Sequence, residues 1–76
     1  MKTSSPHAHM EDSLRYANNG IPRPGDRIQN SRGDLGTVRT VFPGTGKHAE
    51  PTHMTVKWDE GIVEIEYESA VDFTPL

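Results

Sequence analysis

Between residues 54 and 67 the chain reads Met-Thr-Val-Lys-Trp-Asp-Glu-Gly-Ile-Val-Glu-Ile-Glu-Tyr. Folded back at Glu60-Gly61, this stretch sets Trp58 opposite Val63, Val56 opposite Ile65 and Met54 opposite Tyr67. The other face pairs Lys57 with Glu64 and Thr55 with Glu66. One face is wholly apolar and the other polar, the pattern of a half-buried antiparallel hairpin. A slip of one residue would put glutamates on the face of Trp58 and Val56, so this register is strongly specified.

The same alternation, read more coarsely, predicts the other elements. Asp26-Arg27-Ile28-Gln29-Asn30 is a first strand with Ile28 inward. Ser31-Arg32-Gly33-Asp34 is a turn. Residues 35–42 form a second strand, and Gly36 inside it predicts a bulge or tight bend. Residues 43–53 are a long loop, the kind that carries function in so small a domain. After the hairpin, Ser69-Ala70-Val71 reads as one helical turn and Asp72-Phe73-Thr74 as a last short strand. Upstream, residues 1–10 are polar and broken by Pro6, a flexible tail. Residues 11–19 have helix signals: Asp12 or Ser13 as a cap, Leu14 and Ala17 on one face, Gly20 as a stop. Such a short helix forms only if it docks on the rest. Ile21-Pro22-Arg23-Pro24-Gly25 is an extended connector. The expected organisation is a tail over 1–23 and a compact all-β unit over 24–76. Its expected core is Ile28, Leu35, Val38, Met54, Val56, Trp58, Val63, Ile65, Tyr67, Val71 and Phe73.

Size narrows this further. A chain of 76 residues makes one small domain, and such a domain buries only about 60% of its unfolded surface. With no cysteine, disulfides and thiolate metal sites are excluded. No apolar run approaches the roughly 20 residues of a membrane span, and none follows Met1-Lys2 as a signal peptide requires. The expectation is a soluble cytoplasmic protein with no membrane contact. Net charge is −3 and unevenly spread. From Trp58 onward every charged residue is acidic: Asp59, Glu60, Glu64, Glu66, Glu68 and Asp72.

Three strings in order, Gly25-Asp26-Arg27-Ile28, Gly36-Thr37-Val38 and Val56-Lys57-Trp58-Asp59-Glu60-Gly61, resemble the SH3-like small barrels of the Tudor, KOW and Mib/Herc kind. The resemblance runs over residues 24–74 and implies a five-stranded SH3-like barrel. From Tudor-like readers it implies an aromatic cage for methylated lysine or arginine, for which Phe42, Trp58, Tyr67 and Phe73 are candidates beside Asp59 or Glu60. From KOW-type barrels it implies nucleic-acid contact through Arg27, Arg32, Arg39, Lys47 and Lys57. Val63-Glu64-Ile65-Glu66-Tyr67 is also similar to the active strand of type II dihydrofolate reductases, tetramers built around one pore. Here glutamate stands where that strand has its amide.

Candidate chemistry is sparse. His7 and His9 lie in the tail, and His48 and His53 flank the loop, without the fixed set of ligands that a metal needs. Gly44-Thr45-Gly46-Lys47 is not a phosphate-binding loop signature. No catalytic constellation is present, and no cofactor is expected. The leading expectation is a non-catalytic module that binds a protein or peptide through the 43–53 loop and the barrel rim. Its candidate residues are Phe42, Lys47, His48, His53, Trp58, Asp59, Glu60 and Tyr67. The alternative is nucleic-acid binding through the basic residues of 27–57, and a remote one is the reductase-like tetramer.

Overall fold

The hairpin read from the alternation forms in the register it dictates. Met54 faces Tyr67, Thr55 faces Glu66, Val56 faces Ile65 and Lys57 faces Glu64, and the Trp58 N–H closes the turn on the Val63 carbonyl at 3.1 Å. The computed structural model describes residues 14–45, 49–61 and 63–76. They contain five strands: β1 (Arg27–Gln29), β2 (Leu35–Pro43), β3 (Pro51–Trp58), β4 (Glu64–Tyr67) and β5 (Thr74–Pro75). These form one antiparallel sheet in the order β4-β3-β2-β1-β5. The fold is all-β and barrel-like, but no ladder joins the outer strands β4 and β5, so the sheet stays open.

It is nonetheless rolled. In a flat sheet the outer strands would lie roughly 19 Å apart, at about 4.8 Å per strand. Yet Phe73, just before β5, packs edge-on against Tyr67 of β4 with ring centroids 5.0 Å apart. It packs likewise against Trp58 of β3, at 5.6 Å. Inside the roll Ile28, Val38, Met54 and Val56 are wholly buried.

Gly36 sits in register with both Ile28 and Trp58 and is not the bulge expected of it. Its role is close approach: a Cβ there would stand 2.8 Å from the Trp58 ring and 2.9 Å from Val56 Cγ1. The bulge falls instead at Arg39, where pairing shifts between Val38 and Thr40. One extra residue inverts the inward and outward alternation. Val41 therefore joins Val38 against the core, while Phe42 turns to the outer face and stacks on His53.

The segment before β1 departs from the expected tail and helix. Residues 11–13 and the tail at 1–10 lie outside the described residues. From residue 14 on, the chain is extended and then turns, with no helix among the described residues. Leu14 and Tyr16 are both buried while Ala17 is exposed, the period of a strand and not of a helix. Leu14 donates its N–H to the Pro51 carbonyl at 3.0 Å, and Ala17 donates to Phe73 at 2.9 Å. Tyr16 forms a parallel bridge with Ala70. The chain then reverses through Asn19, whose φ is 72°. Residues 14–23 thus pack into the domain, with Leu14, Tyr16 and Pro22 buried.

Among the expected core residues, Leu35, Val63, Ile65 and Val71 are exposed, and Trp58 and Tyr67 are half-buried. β4 is an outer strand with no further strand beside it among the described residues, and Ile65 stays exposed where Val56 and Met54, on the inner strand β3, are buried. The expected helical turn at 69–71 is a tight turn in which Phe73 donates to the Ala70 carbonyl, and it swings Val71 outward. The last strand is shifted to Thr74–Pro75.

Tyr16 donates its hydroxyl to Asp26 at 2.7 Å. Burial first, and then this carboxylate, push the phenol well above its ordinary value of 10.0. The unfolded tyrosine ionises while the folded one stays neutral, so the Tyr16 contribution is complete below about pH 10 and is lost as pH rises beyond it. Tyr16→Phe is expected to cost about 1 kcal/mol near neutrality by removing the hydrogen bond. The difference from the parent should shrink as pH rises past about 10, read from urea midpoints across that range. Gly36→Ala should lose about 1–3 kcal/mol through the overlap with Trp58 and Val56. A midpoint equal to that of the parent would show that the ring does not rest on residue 36.

Candidate functional site

Two turns meet at one end of the sheet. In the β1–β2 turn, the Asn30 side-chain oxygen accepts the backbone N–H groups of Arg32 and Asp34, each at 2.9 Å. Gly33 takes the φ of 91° that closes the turn. Arg32-Gly33-Asp34 is thus an ordinary turn, and Arg32 pairs with Asp34 at 3.3 Å. In the β3–β4 turn, Gly61 has the same φ of 91°. The Asp59 N–H reaches across to the Leu35 carbonyl at 3.0 Å, which fastens the second turn beside the first. From β1, Arg27 grips both carboxylate oxygens of Asp59, at 2.8 and 2.7 Å. This guanidinium holds the Asp59 carboxyl below the usual carboxylate range. The contribution of the pair is therefore present above that range and fades as pH falls through it. Both groups are exposed, so the clamp matters more for placing the turn than for stability.

Between the turns lies a groove of about 530 Å³. Its floor is Trp58 and Tyr67, with the indole N–H donating to the tyrosine hydroxyl at 2.8 Å and the rings perpendicular at 87°. Leu35 forms one wall and Val63 and Ile65 the other, with Asp34, Asp59, Glu60 and Arg32 at the rim. Val63 is 49% exposed and Ile65 41%, on the same face as Val56 at 0%. Sequence reading assigned Leu35, Val63 and Ile65 to the core. The signal available to it was that only one very short strand follows β4; that strand pairs with β1 and leaves β4 at an edge.

The groove brings together Trp58, Asp59, Glu60 and Tyr67 of the expected binding residues. Phe42 and His53 are elsewhere, stacked 4.6 Å apart on the outer face toward the other end of β3, with His53 lying 3.3 Å from Glu66. Lys47 and His48 lie outside the described residues. Phe73 is buried beneath the floor. Of the basic set, Arg27 and Arg32 are engaged by Asp59 and Asp34. Arg39 and Lys57 border a shallow second depression of about 640 Å³ with Thr37. Glu64 faces outward and accepts from the Thr55 hydroxyl at 2.7 Å. Among the described residues no cluster could hold a metal ion, and no helix is long and apolar enough to cross a membrane.

Compared with protein-family models, curated proteins and solved structures, the chain matches none. The groove must therefore be interpreted from its own chemistry. It offers apolar and aromatic surface, a hydrogen-bonded floor and an acidic rim, without a nucleophile–base pair or a metal cluster among the described residues.

The exposed wall separates cleanly from the core on which it borders. Ile65→Thr keeps the β-branched shape and should change stability by less than about 1 kcal/mol. Val56→Ala, on the cross-strand partner, should cost about 2–3 kcal/mol. Equal losses in thermal or urea unfolding would mean that Ile65 is packed and the groove closed.

Proposed function

We propose that this protein is a non-catalytic binding module on an SH3-like barrel, and that it engages a protein or peptide in the groove between the β1–β2 and β3–β4 turns. The observation that carries this is the uncovered apolar wall of Leu35, Val63 and Ile65 above a floor of half-buried rings. Apolar side chains massed in a concavity and rimmed by charge are the usual mark of a docking site, whereas scattered exposed ones are not. The floor is held by its own hydrogen bond and by Phe73 beneath it, so a ligand meets a preformed surface. Of the loop expected over residues 43–53, Pro43 belongs to β2 and Pro51 to His53 belong to β3, and its remaining described residues lie toward the end of β3 opposite the groove. The support therefore gathers at the hairpin tip.

The test is to select peptides against the protein from a displayed library and map each one by backbone amide shifts. Shifts should gather at Leu35, Trp58, Asp59, Val63, Ile65 and Tyr67, and Trp58 emission should change on titration. Val63→Asp should weaken binding at least tenfold with the fold intact. Selected peptides that shift Phe42 and His53 and leave the groove silent would overturn the proposal.

A further inference from the structure

β4 has an open side. Among the described residues it pairs only with β3 and ends the sheet. In an antiparallel ladder, hydrogen-bonded pairs alternate with non-bonded ones. The Trp58 N–H bonds the Val63 carbonyl, which fixes the phase. Val63, Ile65 and Tyr67 turn their backbone groups toward β3, and Glu64 and Glu66 turn theirs to the open edge. The opposite edge is poorer: β5 has two residues, and one of them, Pro75, has no N–H to offer.

The side chains along β4 divide just as sharply. Val63 and Ile65 line the groove. Glu64 and Glu66 lie on the other face, held from behind by Thr55 and His53. Each carboxylate has about four acceptor sites, more than these contacts use. On the reading of the groove as the binding site, we infer that its partner is an extended basic segment that adds to β4 as an antiparallel sixth strand. Lysine or arginine stands opposite Glu64 and Glu66, and an apolar residue between them lies beside Ile65 in the groove. The alternation of the partner follows from cross-strand neighbours sharing a face. A second copy is a poor occupant. Two β4 strands related by a two-fold axis would set Glu64 and Glu66 against their own copies, like charge against like.

The probes are short synthetic peptides offered to the full chain: one alternating lysine with valine, one alternating glutamate with valine, and two N-methylated forms of the first. Methyls on the lysine amides block the bonds to Glu64 and Glu66, whereas methyls on the valine amides point away from β4. We expect the lysine–valine peptide to bind and to shift the amides of Glu64 and Glu66. Its lysine-methylated form should bind at least tenfold more weakly, and its valine-methylated form within about threefold of the parent. Glu64→Lys with Glu66→Lys should exchange the preference to the glutamate–valine peptide. The methylated pair needs no protein variant, so a folding defect cannot mask the answer. Equal binding of the two methylated peptides would overturn strand addition while leaving the groove as a site. Failure of the lysine–valine peptide, beside library peptides that do shift the groove, would overturn the basic partner alone. A peptide-free dimer in sedimentation that the peptide cannot dissociate would give the edge to a second copy and overturn the inference.

Discussion

Three rings hold the sheet in its rolled shape. Phe73 comes from the far end of the chain and from the opposite side of the sheet, yet it rests between Trp58 and Tyr67. Edge-on aromatic pairs add about 0.5–1.5 kcal/mol each beyond the surface they bury. In a domain this small such contacts are a large share of the whole. Much else is arranged around them. Gly36 has no side chain, so the Trp58 ring can lie against β2. The Tyr67 hydroxyl satisfies the indole N–H, which would otherwise be partly buried without a partner. The segment at residues 14–17 holds Phe73 from behind through the Ala17 N–H. The groove floor is the exposed side of this same cluster, so its two rings are fixed by the contacts that hold the roll.

What the sequence revealed, and what it concealed, divide by range. The hairpin register was legible because it depends on a period of two and one turn. The gathering of Trp58, Asp59 and Glu60 at one end of the hairpin was legible for the same reason, since they lie at that turn. Leu35, Val63 and Ile65 were misread as core. Periodicity says which face a side chain occupies and not whether anything covers that face. The approach of the first turn to the second depends on the end of the β2–β3 ladder, on the bond between Asp59 and Leu35 and on the Arg27–Asp59 clamp, contacts distant in sequence that leave no local mark. The bulge at Arg39 did leave one: Val38 and Val41 are both inward at an odd spacing, which only an extra residue allows. Leu14 and Tyr16 showed strand spacing too, but the helix signals around them were locally stronger. Tertiary packing against Ala70 and Phe73 overrode those signals.

The acidic end of the chain now has a structural meaning. The glutamates of β4 stand on an open strand edge, where charge discourages copies of a protein from pairing edge to edge. In the proposed strand addition the same charges would select a partner of opposite sign, so protection against self-association and recognition would rest on one set of residues. The clamp between Arg27 and Asp59 removes one cation and one anion from this balance and leaves the remaining acids to define the surface.

The packing of residues 14–17 also bears on the order in which the domain is made. Leu14 bonds to Pro51, Tyr16 bridges to Ala70 and Ala17 bonds to Phe73. Tyr16 and Ala17 thus find their partners more than 50 residues later in the chain. Contacts so distant along the chain slow folding, because a long loop must close before they form. During translation β1, β2 and β3 can emerge and pair in sequence, but the roll cannot be sealed until Phe73 has left the ribosome. Until then the apolar faces of β2 and β3 lack the cover that Phe73 supplies.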